Sequence, residues 1–279
     1  DSLAALKLAD IYLQIYTNYK QEEILFKAEQ FYKKSLELLK KAPHANSNVY
    51  IAKAQKGLFY IYKIFSEQKE KEGNRTKSHE YNLKALSLVD SPADVVPLFF
   101  KVYDYYFQNR QYKNAKEYLE ELIEKYGTET YTLPVEGNTL VAIHAYALLA
   151  MQYETMGNHK QALDISYKIF SFYTDKIYRG MTASEWARKN ISHLIQTFGQ
   201  EIYQKYDEEV LETYKNMQKQ EYNSGSLKRL LSHYPNTRYA SIIYFAMIKK
   251  MLEEKNHRNA IEEMEYFLRE YPDAPETPY

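Results

Sequence analysis

The chain has 279 residues, enough to bury a large core, with 37 basic and 37 acidic side chains and no net formal charge. That balance argues against nucleic acid as the main partner, which would call for a clustered basic face. There is no cysteine, which excludes disulfides, zinc-thiolate sites and cysteine nucleophiles, and no run of about 18 apolar residues that could span a membrane as a helix. Thirty tyrosines stand beside only eight glycines and eight prolines. Few breakers and many helix formers predict an all-α chain. No segment alternates with period two between turn signals, so no sheet is expected. The chain opens on Asp1-Ser2 without an initiator methionine, as a mature form freed of a signal peptide or a trimmed chain would. Either origin leaves room for a lipid anchor upstream of Asp1.

Residues 3–19 and 24–41 read as one helical hairpin, closed by "KKAP". Residues 48–70 and 76–89 read as a second, with Gly73 in the turn "KEGNRT". In "SPADVVP" Ser91 is the expected N-cap, Pro92 the first helical residue and Asp94 a first-turn acid. The hairpin at 96–127 carries Phe99, Val102, Tyr103, Tyr106, Tyr112, Ala115, Leu119 and Leu122 at helical spacing. Residues 128–138, "TETYTLPVEGN", form the longest connection. The hairpin at 143–174 carries Tyr146, Leu149, Ala150, Tyr153, Gly157, Ala162, Leu163 and Ile169. Thr182 and Glu185 of "TASE" form a capping box before helices at roughly 183–200 and 202–221. After the break "YNSGS", a shorter helix at 226–233 ends at Tyr234-Pro235. The last hairpin, 241–272, ends at Tyr271-Pro272, 37 residues further on. Proline disfavours helix in the residue before it, so each Tyr-Pro pair stops a helix. Asn236 and Asp273 are the expected N-caps of the next helices. The organisation is thus 1–127, 128–175, 176–225 and 226–279, with about six hairpins.

The spacings at 143–174 resemble the tetratricopeptide repeat. There a large residue, a leucine and a small residue mark the first helix, a glycine the turn, and an alanine the second helix. At 96–127 a tyrosine takes the small position and Arg110 the turn position; at 241–272 these are Ile248 and Lys255. The resemblance implies an α-α superhelix with a concave groove. Tyr234, Pro235, Thr237, Tyr239 and Ala240 also resemble the repeats of bacterial outer-membrane assembly lipoproteins and Tol-associated periplasmic proteins. That implies a periplasmic or outer-membrane-associated protein. The alternative is that "YPxxxYA" is a stacking solution usable in any compartment, the cytoplasm included.

Catalytic chemistry is hard to find. No two histidines stand four apart, and HExxH, GxGxxG, P-loop and GxSxG motifs are absent. His144 lies on a first helix, facing the groove. His44, His79, His159, His193, His233 and His257 fall in turns or on polar faces and are expected to be solvated. The acids of "DEE", Asp207–Glu209, read as a solvated helix face. The aromatic runs at 59–65, 103–107 and 170–173 read mainly as inter-helix packing, and Trp186 as a core anchor. No catalytic residue, metal ligand or cofactor is assigned.

The repeat register places Phe100, Asp104 and Phe107 on the groove, then His144, Met151 and Glu154, then Ile242, Phe245 and Lys249. This lining mixes apolar and charged side chains and lacks the clustered Lys and Arg that would clamp a C-terminal carboxylate. It predicts a non-enzymatic scaffold that binds a protein or peptide segment, as a member of a multiprotein complex in a bacterial envelope. The alternatives are a structural subunit that packs on copies of itself, and a helical-repeat enzyme or glycan-binding protein with an aromatic-lined cavity.

Overall fold

The computed structural model describes residues 1–43, 45–133, 137–272 and 274–275; His44 and the expected cap Asp273 lie outside them. The protein is an all-α chain of packed helical hairpins, with thirteen α-helices among the described residues. It forms two compact units, Asp1–Tyr131 and Thr132–Tyr279.

The first unit holds α1 (Ser2–Tyr19), α2 (Glu22–Lys41), α3 (Ser47–Lys71), α4 (Arg75–Leu86), α5 (Pro92–Gln108) and α6 (Tyr112–Tyr126). Consecutive helices pack as hairpins over a core that includes Leu6, Ala9, Leu25, Tyr32, Leu58, Phe59, Ile61, Phe65 and Leu98. Gly57, in the middle of α3, lets the Tyr32 ring lie flat on that helix, since a Cβ there would overlap the ring. Pro92 opens α5 and Asp94 sits in its first turn; Ser91 is the N-cap residue but makes no side-chain cap bond.

The second unit holds α7 (Val141–Thr155), α8 (His159–Phe172), α9 (Ala183–Phe198), α10 (Gln204–Gln218), α11 (Ser224–His233), α12 (Ala240–Glu253) and α13 (His257–Glu270). The capping box at Thr182 and Glu185 starts α9. A 3₁₀ turn, Gln200–Tyr203, leads into α10.

Four hairpins close by one device. Gly73, Arg110, Gly157 and Lys255 all adopt left-handed backbone, with φ of 75°, 58°, 76° and 60°. In each case the next amide bonds back five residues, as in Asn158 N to Tyr153 O at 2.8 Å and Gln111 N to Tyr106 O at 2.8 Å. This is the Schellman helix end. Five residues after each left-handed residue stands a small buried one: Ser78, Ala115, Ala162 and Ala260. The small side chain lets the returning helix approach the first. Arginine and lysine can therefore occupy the glycine position of the turn because the bonds around it hold the conformation.

Three expectations need correction. Two short strand pairs exist: β1 (Thr130–Leu133) with β2 (Gly137–Leu140), and β3 (Ile177–Tyr178) with β4 (Met181–Thr182). The second pair turns through Arg179 and Gly180, both at positive φ, and two-residue strands are too short to show alternation. Asn236 does not cap α12, which begins at Ala240; its amide donates to Ser192 Oγ at 2.6 Å instead. Asp207 is not solvated but almost fully buried, because donors from the loop before α12 close over it. The Tyr-Pro pairs do end helices, with Tyr234 and Tyr271 as C-cap residues. The Tyr234 ring stacks on Tyr167 of α8, 5.9 Å between centroids.

Candidate binding clefts

The residues assigned to the groove meet three different fates. On α5, Phe100 is only 7% exposed, its ring 5.0 Å from that of Tyr131. Phe107 is half-buried between Tyr103 and Tyr112, at 5.6 and 5.7 Å. Neither is a free groove side chain, because aromatic neighbours from the same unit cover the face that the register turned outward. Asp104 is reached by solvent and lines a cleft formed by the end of α3, α4 and α5. Partial burial against the cleft walls pushes its carboxyl above the usual range.

That cleft encloses about 150 Å³ and is lined by Glu70, Arg75, Ser78, His79, Asn82, Lys101, Asp104, Tyr105 and Gln108. His79 was expected on a solvated face but is 7% exposed. It stacks flat on Tyr105, 3.8 Å between centroids, with the Tyr106 edge 4.8 Å away. Burial lowers its pKa, so the ring is neutral at physiological pH. Behind it Ser78, Ser66 and Asn82 share buried hydrogen bonds of 2.9 and 2.7 Å.

On α7 the three candidates do not form one surface. His144 packs under the β3–β4 turn, with Nδ1 3.1 Å from the Tyr178 hydroxyl. Burial, and then the nearby Arg179 charge, lower its pKa to about 4. Tyr178 in turn meets Trp186 edge-on at 5.2 Å, leaving that tryptophan half-buried. Met151 is 47% exposed, and Glu154 lies 3.5 Å from His193.

The three α12 candidates do come together. Ile242, Phe245 and Lys249 line a cleft of about 370 Å³ with Ala246, Lys250 and Glu253 of the same helix. Tyr214 of α10 and Tyr222, in the connection to α11, complete it. Ile242 is 43% exposed. The Lys249 ammonium lies 4.6 Å from the Phe245 ring centre, and Lys250 lies 5.2 Å from that of Tyr222. Lys250 is also paired with Glu253 at 2.8 Å. The register could find the α12 residues but not the two tyrosines, which reach the cleft from outside the repeat pattern.

Asp207 explains the sequence after the first Tyr-Pro pair. It is almost fully buried and accepts four hydrogen bonds. The Thr237 hydroxyl (2.8 Å) and the Arg238 amide (3.0 Å) donate to Oδ1. Arg238 Nε (2.8 Å) and Gln200 Nε2 (3.0 Å) donate to Oδ2. One carboxylate on α10 thus fixes the loop that enters α12, the helix that forms the large cleft. Its neighbours Glu208 and Glu209 are exposed, as expected.

Among the described residues no group of three or more His, Asp or Glu side chains is placed to hold a metal ion, and no helix is long and apolar enough to cross a membrane. No protein-family model matches the sequence, and no curated protein is similar to it. Among solved structures, BtubC from P. vanneervenii is similar at 13% identity and a TM-score of 0.39, over 70% of this chain and 82% of that one. A putative kinesin light chain from Podosopora anserina, with nearly identical TPR-like repeats, is similar at 14% identity and a TM-score of 0.37, over 77% and 96%. A Rap protein complexed with competence and sporulation factor is similar at 13% identity and a TM-score of 0.34, over 97% and 75%. The overlap is loose in each case.

Proposed function

We propose that the chain is a non-catalytic interaction scaffold that holds a segment of a partner protein in the cleft between α10 and α12. The supporting observation is the cleft itself: Ile242, Phe245, Tyr214 and Tyr222 surround an open volume of about 370 Å³, rimmed by Lys249, Lys250 and Glu253. Aromatic anchors inside a charged rim are the usual anatomy of a protein-binding site, the anchors supplying energy and the rim supplying rate and specificity. Lys250 is neutralised by Glu253, whereas Lys249 lies over a ring. The segment that fits carries an apolar side chain beside an acid, the acid meeting Lys249.

The experiment is site-specific photo-crosslinking from position 242 in cells of the source organism, followed by affinity measurement with the protein recovered. Phe245→Ala and Tyr222→Ala should each weaken binding by at least about tenfold, or 1.4 kcal/mol. Unchanged affinity in both variants would refute the cleft. Self-association of the pure chain, abolished by the same variants, would favour a structural subunit instead.

The scaffold is further proposed to belong to a bacterial envelope, on the pattern Tyr234, Pro235, Thr237, Tyr239 and Ala240. The Asp207 clasp accounts for Thr237 and Arg238 by local packing, so this placement stands on the sequence pattern alone. Fractionation of producing cells tests it, and recovery in the cytosol would refute it.

A further inference from the structure

We propose that the cleft between α4 and α5 binds a small zwitterion of amino-acid size, its ammonium at Asp104 and its carboxylate at Arg75. The site lies in the other unit from the α10–α12 cleft, so it goes beyond the scaffold role and does not depend on it.

Four charges line the cavity, Glu70 and Asp104 against Arg75 and Lys101. Glu70 and Lys101 face each other at 3.5 Å and largely cancel. The other two have no counter-ion among the described residues. The Arg75 guanidinium donates to the neutral side-chain oxygen of Gln108 at 2.6 Å. Asp104 has no hydrogen-bond or ion-pair partner among the described residues. A lone cation entering the cavity would be repelled by Arg75, and a lone anion by Asp104. A ligand that carries both charges meets both groups.

Two wall residues add polar groups to the cavity: His79, whose Nδ1 is buried with no hydrogen-bond partner among the described residues, and Asn82. Asn82 is 5% exposed and lines the cavity, and its Oδ1 accepts from Ser66 Oγ at 2.7 Å. Its amide nitrogen has no partner among the described residues. That nitrogen keeps access to the cavity, where a ligand carboxylate or carbonyl would accept from it. Ser66 and Ser78 fix the Asn82 side chain, and the stacked His79 and Tyr105 form a rigid neutral wall. The volume of about 150 Å³ is that of a small organic molecule. The carboxyl of Asp104, pushed up by desolvation, is a group that an ammonium would stabilise in its charged form.

The test is a titration of the full chain with L-glutamine and with glycylglycine, followed by NMR of the Asp104 carboxyl carbon and the Asn82 side-chain amide. Saturable shifts at both groups are expected, with Kd of about 1 mM or tighter, and the Asp104 pKa should fall toward the ordinary carboxylate range. N-acetyl-L-glutamine and the α-amide of L-glutamine, each lacking one charge, should bind at least about tenfold more weakly. Asp104→Asn and Arg75→Gln change exposed side chains, so each should lose binding at unchanged melting temperature. The proposal is overturned if neither zwitterion shifts these signals, if a singly charged analogue binds as well, or if both variants bind like the parent. None of those results touches the photo-crosslinking from position 242, so failure here and failure of the scaffold reading are separable.

Discussion

Asp207→Ala should be among the most damaging single changes in the second unit. The carboxylate is buried on α10 and holds four donors from Gln200, Thr237 and Arg238. When it is removed, the Arg238 and Gln200 side chains can turn to water, Arg238 being well exposed. The Thr237 hydroxyl cannot, because that residue is buried, and the Arg238 amide is held in the same turn. Two stranded donors at roughly 1–3 kcal/mol each, partly relieved by relaxation and water entry, give about 2–4 kcal/mol. Asp207→Asn retains an acceptor for Thr237 and the Arg238 amide but points an NH₂ group at Gln200 Nε2 and Arg238 Nε, so it should cost less than the alanine. Glu208→Ala, one residue on in the same acidic run, should stay within about 0.5 kcal/mol of the parent. Urea denaturation supplies the stabilities, and hydrogen exchange at the Arg238 amide reports the clasp directly. If Asp207→Ala matches Glu208→Ala, or if the Arg238 amide keeps its protection, the clasp does not hold the entry to α12.

Ala162→Leu should destabilise by roughly 1–3 kcal/mol, because Ala162 is fully buried against Ile191, Leu194 and Tyr206. Glu120→Leu, at an exposed position paired with Lys116 at 3.4 Å, should change the denaturation midpoint little. At the hairpin turns Arg110→Gly and Lys255→Gly should raise stability by about 0.5–1 kcal/mol, while Gly157→Ala should lower it by about 1 kcal/mol, since all three sit at positive φ. His144 titrates near 4 in the fold and near 6.5 unfolded, so between those values the unfolded chain binds the extra proton. That stability is fully present above about pH 6.5 and is lost as pH falls toward 4, the loss reaching about 2 kcal/mol at pH 5. His144→Gln should remove that part of the acid sensitivity, read as a smaller difference between denaturation midpoints at about pH 7 and pH 5.

The hairpins were legible in the sequence because what makes them is local. Apolar residues three and four apart mark one helix face, a proline stops the helix before it, and Thr182 with Glu185 starts α9 from four consecutive residues. The small residue after two of the turns was visible in the same way, and Ala115 and Ala162 are both buried. Periodicity also gave the face of α12 on which Ile242, Phe245 and Lys249 line a cleft. It could not say what lies across from a face. Phe100 is covered by Tyr131, His144 by Tyr178, and His79 by Tyr105, partners 26 to 34 positions away. Asp207 is buried only because Thr237 and Arg238, some 30 residues on, close over it. A side chain's environment is set by the second surface that meets it, and that surface comes from chain packing over distances at which local spacing carries no signal.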